Sequence, residues 1–242
     1  MICRLCRQDR DLCQSHIFPE FLYERLYDST HRFGHLAGPD SEKLLHQKGI
    51  RERLLCEQCE GRLSRFEAYA RRVLFEPGYA RVIVDDGDRC VYQVNYTQFK
   101  LFELSILWRI AVTNHPHFRV VSGLGRNESR LRQMLLNEDA GSTTDYGCIV
   151  SEPKKYQEYA RQFISFSGFC KQRKPYKTLN ARFMFAGRAW LFLVTRRPLN
   201  PGLSAAFLQE DGRLCIQRGD WVDSYLINLS EKCGKRRRPR GL

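Results

Sequence analysis

The sequence predicts an α+β protein: a small cysteine-braced module at the amino terminus, packed on a larger mixed α/β domain with antiparallel hairpins. Three observations carry this. Two Cys-x2-Cys pairs, Cys3/Cys6 and Cys56/Cys59, stand 49 residues apart, and the second runs straight into a helical pattern. Downstream, extended segments alternate with helical ones, and Gly-centred turns join several of them. Finally, 43% hydrophobic residues in 242 is enough to bury a sizeable core. The expected organisation is a module over 1–77, a basic α+β domain over 78–230, and a disordered basic tail over 231–242.

Each element has a local reason. PEFLYERLYD reads as a short helix with Pro19 near its start. Residues 30–55 read as a loose hairpin punctuated by Gly and Pro-Asp. After Cys59, Leu63, Phe66, Ala70, Val73 and Leu74 recur at helical spacing, and Pro77-Gly78 stops the run. YARVIVDD and RCVYQVNY flank a turn at Gly87 and predict a hairpin. TQFKLFELSILWRIAV is apolar around most of its circumference, as a buried central helix would be. NESRLRQMLL predicts another helix capped by Asn127. Residues 146–150, 162–169, 181–186 and 189–195 read as strands, and AAFLQEDGRLCIQ as a second hairpin around Asp211-Gly212.

The cysteine pairs carry the clearest chemistry. A two-residue gap lets one tight turn aim both sulfurs at one ion, and four thiolates close a tetrahedral shell around Zn²⁺. A knuckle, an insert, then a helix supplying the last ligand is the treble-clef arrangement. Cys3, Cys6, Cys56 and Cys59 are therefore the expected ligands of a structural zinc. Cys13, Cys90, Cys148, Cys170, Cys215 and Cys233 show no such pairing and read as small buried apolar residues.

Cys-x2-Cys, then Ser15-His16-Ile17-Phe18-Pro19, then Leu54-Leu55-Cys56-x2-Cys59 before a helix resembles the HNH nucleases of the ββα-metal type. The resemblance covers about residues 3–70. It implies that His16 is the general base that activates water for phosphodiester hydrolysis. It also implies a catalytic Mg²⁺ or Mn²⁺ held from Ser15 and Glu60. Both positions depart from the family, where an Asp is usual at the first and an Asn or His at the second. Serine is a weaker ligand for a hard cation, while Glu60 restores an oxygen ligand. Equally, Glu60 suits the first turn of a helix with no metal present. Glu67, two turns on, is expected to pair with Arg71. SHIFPEFLYERL, LLCEQCEGRLSRFEAYA and FELSILWRIAV together are similar to uncharacterised bacterial HNH-like proteins, which implies a role in phage or mobile-element conflict.

Charge points to a polyanion. The chain carries 40 Lys+Arg against 27 Asp+Glu, a formal +13. Residues 1–77 contribute only +1, so the basic field belongs to the second half. Lys171, Arg173, Lys174 and Lys177 cluster around Pro175, Arg196 and Arg197 follow, and the tail carries Arg236, Arg237 and Arg238. These are the candidate nucleic-acid contacts, with DNA preferred. No segment reads as a membrane span, and cysteines so close to the start leave no room for a secretion signal, so a cytoplasmic protein is expected. The preferred function is thus a metal-dependent endonuclease. The alternatives are a non-catalytic zinc-stabilised nucleic-acid-binding protein and a protein-interaction scaffold.

Overall fold

The computed structural model describes residues 1–35, 44–118, 124–162, 164–171, 178–195, 200–224 and 226–227. The architecture is mixed α+β with largely antiparallel sheets. In the amino-terminal part, β1 (Leu12–His16) pairs antiparallel with β4 (Arg51–Cys56), which sets Ser15 opposite Glu52 and His16 opposite Arg51. Between them β2 (Arg32–His35) pairs with β3 (Leu44–Gln47).

The helix expected over PEFLYERLYD is only one turn, α1 (Glu20–Tyr23). Tertiary contacts override propensity there. The chain turns back after Tyr23, so that Tyr27 stacks on His31 at 3.9 Å and Phe33 meets the Tyr23 ring at 5.1 Å.

The helix after the second cysteine pair is α2 (Glu57–Phe75), which buries Leu63, Phe66 and Ala70 and ends before Pro77. A hairpin follows, β5 (Arg81–Asp85) and β6 (Arg89–Gln93), turning at Gly87 with φ +85°. Helix α3 (Tyr96–Val112) is buried without interruption from Phe99 to Ile110. It is capped by Asn95, whose side chain accepts from the Gln98 amide at 3.0 Å. Helix α4 (Arg126–Asn137) starts one residue earlier than expected, from Gly125. Asn127 does not cap it. Its Oδ1 lies 3.4 Å from the Tyr146 hydroxyl and its amide donates to Leu124.

The remaining elements are β7 (Cys148–Glu152), the turn α5 (Gln157–Ala160), β8 (Ser165–Lys171), β9 (Leu179–Phe185), β10 (Arg188–Val194), the turn α6 (Pro201–Ser204) and β11 (Arg213–Arg218). Seven strands form one sheet in the order β5-β6-β11-β7-β10-β9-β8. All neighbours are antiparallel except β11 and β7.

The hairpin expected around Gly212 is absent: residues 205–209 form no strand. Both edges of β11 are taken, by β6 and by β7, so no free edge is left for a local partner. Phe207 is fully buried instead, packed flat on Gly147, where a Cβ would stand 2.4 Å from its ring.

Helix α3 lies between the sheet and the other long helices, α2 and α4. Phe99 and Phe102 meet the Trp190 ring, each at 6.3 Å, and Phe185 stacks on Trp190 at 4.5 Å. Phe18, from the segment after β1, reaches the same cluster and touches Phe183 and Phe185 at about 6 Å. One hydrophobic core therefore runs from Cys3 to Ile216. Each buried phenylalanine in it contributes about 1.5–3 kcal/mol of transfer free energy. Among the described residues no helix is long and apolar enough to cross a membrane.

Candidate metal centre and the adjoining charge cluster

The four paired cysteines converge. The knuckle that carries Cys3 and Cys6 is closed by backbone bonds from the Cys3 amide to Gln8 and from the Arg7 amide to Cys3. Arg7 takes a positive φ of 62° to complete the turn. The Arg4 amide donates to Leu54, which ties the knuckle to β4. On the other side Arg132 of α4 donates to the Leu5 carbonyl at 2.9 Å. Cys56 ends β4 in an extended conformation and Cys59 lies in the first turn of α2, so one strand-to-helix corner presents the second pair.

All four Sγ atoms lie within 4.8 Å of one another. A Zn–S bond of about 2.3 Å gives a tetrahedron with sulfur edges of about 3.8 Å. The Cys6–Cys56 separation of 3.9 Å fits that edge, and all four cysteines are free of disulfides. Burial pushes the Cys3 thiol up, but amide donors, led by Cys56 at 3.4 Å to its sulfur, outweigh it and bring the thiol down to about 7. Cys59 moves the other way: burial first, then the neighbouring sulfurs, oppose its ionisation. Four sulfur donors this close could hold one cation, and the donor set suits a soft or borderline metal ion such as zinc. Of the cysteines expected to be buried apolar residues, Cys90 and Cys148 are so, Cys13 and Cys215 are half-buried, and Cys170 is exposed. Cys233 lies outside the described residues.

Ser15 and Glu60 are brought together, but not around a gap. Ser15 is fully buried, accepts from the Leu55 amide at 3.1 Å and donates to Glu60 Oε2 at 2.7 Å. On the other side of Glu60 stands Arg109 of α3, also fully buried. Its guanidinium lies 3.9 Å from Glu60 and 2.6 Å from Glu67, and donates to the His16 carbonyl at 3.0 Å. Glu67 thus pairs with Arg109 rather than with Arg71, which instead meets Glu24 at 3.0 Å. Burial decides this. Glu67 faces the core, where burial raises its pKa against the pull of Arg109.

The His16 side chain is 23% exposed and its Nε2 lies 2.6 Å from Glu20. Glu20 in turn accepts from the Tyr27 hydroxyl at 2.6 Å. Burial lowers the His16 pKa, opposed by Glu20 and assisted by Arg51 and Arg109, which favours the neutral ring at neutral pH. Gly49 packs beneath this pair: a Cβ there would stand 2.5 Å from the Tyr23 ring and 3.1 Å from His16 Cδ2.

Two residues of this cluster escape a reading by local spacing. Arg109 shows only as a charge interrupting an apolar helix. Glu20 sits four residues after His16, but His16 ends β1 and Glu20 opens α1, so no shared helix linked them in the sequence. Every side chain assigned to nucleic acid, Lys171, Arg173, Lys174, Lys177, Arg196, Arg197, Arg236, Arg237 and Arg238, lies outside the described residues.

No protein family, curated protein or solved structure matches this chain.

Proposed function

We propose that Cys3, Cys6, Cys56 and Cys59 hold a structural Zn²⁺ in a treble-clef centre, and that the chain is a zinc-stabilised nucleic-acid-binding protein that does not hydrolyse its ligand. One observation carries the second half of this reading. The place between the end of β1 and the start of α2, where an HNH-like site requires a hydrated divalent ion, is filled by the Arg109 guanidinium. The resident cation faces both Glu60 and Glu67, and the fully buried Ser15 turns its hydroxyl to Glu60, whose side chain keeps one partly exposed side. A guanidinium on a packed helix cannot exchange for Mg²⁺ without leaving Glu67 buried and unpaired. Nucleic acid as the partner rests on the +13 charge and its concentration beyond residue 77.

The experiment is a plasmid assay with Mg²⁺ or Mn²⁺, read for both retardation and nicking. Retardation that falls steeply with salt, without product, supports this reading. No retardation at low salt contradicts the nucleic-acid partner.

A second reading, a metal-dependent endonuclease with His16 as general base, draws on the His16–Glu20 contact at 2.6 Å. A neutral imidazole beside a carboxylate, with part of its ring still exposed, suits proton abstraction from water. In that case cleavage requires Mg²⁺ or Mn²⁺ and disappears in His16→Ala.

A further inference from the structure

A cleft lies away from the cysteine cluster. It has a volume of about 560 Å³ and is bounded by the carboxyl end of α2, the β5–β6 hairpin, α5 and the β9–β10 turn. Sites for small organic ligands commonly span about 300–1,000 Å³. Four arginines line it: Arg25, Arg81, Arg161 and Arg188.

Two of these are uncommitted. Among the described residues neither Arg25 nor Arg81 has a carboxylate partner, and Arg25 rests on the Phe75 ring at 4.9 Å. Arg161 pairs only with the exposed Glu158, a contact that solvent screens. Arg188 is held at the back of the cleft, its side chain 15% exposed. Its Nε has no hydrogen-bond partner, since the nearest Glu152 oxygen stands at 3.6 Å. Burial accordingly depresses its pKa against the pull of Glu152.

The two acids in the lining are already engaged from outside it. Glu152 accepts from Arg218 at 2.9 Å, and Glu76 contacts Arg72 at 3.4 Å. The cleft thus offers a surplus of guanidinium donors beside an apolar wall that includes Val82 and Tyr92. Guanidinium forks match the oxygens of a phosphate, and flat apolar or aromatic surface accepts a base.

We infer that this cleft binds a nucleoside monophosphate, with the phosphate on Arg81, Arg25 and Arg188 and the base against the apolar wall. The inference does not depend on binding of polymeric nucleic acid. The test is calorimetric titration of the full chain with AMP, adenosine and inorganic phosphate, in parallel. AMP should bind saturably at one site, and adenosine and phosphate each at least about tenfold more weakly. The double variant Arg25→Gln/Arg81→Gln, altered only at exposed or half-exposed positions, should lose at least about tenfold in AMP affinity with an unchanged melting temperature. Arg10→Gln, on the far knuckle, should bind AMP like the parent chain. Absence of saturable AMP binding overturns the inference. So does AMP binding that survives the double variant, which would mark adsorption to the basic surface. Phosphate binding as tightly as AMP overturns the assignment of a nucleoside.

Discussion

Arg109 holds more of the amino-terminal chemistry together than any residue the cysteine spacing singles out. It is the one described cation in contact with both Glu60 and Glu67, and it also braces the His16 carbonyl. Arg109→Met should therefore cost about 3–5 kcal/mol in urea denaturation, because a buried Glu67 is left without its counter-charge. Arg109→Met combined with Glu67→Leu should recover most of that loss. A single-variant cost below about 1 kcal/mol would mean that the guanidinium is not the cation of this site.

A second buried pair on α3, Lys100 and Glu103 at 3.9 Å, gives a pH signature. Burial raises the Glu103 carboxyl from 4.5 to about 7, against the pull of Lys100. A raised acid keeps its proton in the folded chain while the unfolded chain has lost it. Stability from this group is complete below pH 4.5 and declines as pH rises toward about 7. The decline is about 3 kcal/mol at 1.36 kcal/mol per pH unit, from a shift that already contains the pull of Lys100. The lowered His16 pKa opposes it, adding stability as pH rises to 6.5. Glu67, also raised, acts in the same direction as Glu103. The measurement is thus the difference between the parent chain and Glu103→Gln. Between pH 4.5 and 7 the variant should gain stability relative to the parent as pH rises, and parallel curves would remove Glu103 as the source.

Elements were legible where their signals are local. The two cysteine pairs, the period of α2 and the apolar girth of α3 each need only a few neighbouring residues, and all reappear in the fold. The Gly87 hairpin is of the same kind. What sequence spacing misses depends on partners far along the chain. The strand expected at 205–209 gives way because β11 spends both its edges on β6 and β7. Glu67 turns from Arg71 to Arg109, 42 positions away, because the helix face it occupies is buried against α3. Ser15 and Glu60 were legible as a pair, but the side chain completing their cluster lies on an element whose docking no local pattern encodes.

The cysteine cluster belongs to this scale, since it brings a knuckle against a strand–helix corner. The chain should carry one zinc. Under mild alkylation Cys170 should react first among the described cysteines, while Cys3, Cys6, Cys56 and Cys59 become reactive only after a chelator is added. Early labelling of the four paired cysteines in untreated protein would count against a bound metal.

Across the whole molecule, a shared core couples the amino-terminal elements to the sheet. Phe18 seats against Phe183 and Phe185, and the knuckle is tied to α4 through Arg132. Loss of the metal should therefore lower the melting temperature of the entire chain rather than release one end of it. The charge surplus of +13 acts on the same scale and sets the salt dependence of any polyanion complex. Its strongest clusters were plain in the sequence, whereas the buried guanidinium beside Glu60 and Glu67 was not. The most direct test is the fate of supercoiled plasmid incubated with the zinc-loaded chain and Mg²⁺ or Mn²⁺. Plasmid retarded at low salt and recovered intact is the expected result. Divalent-dependent nicking that His16→Ala abolishes would contradict it.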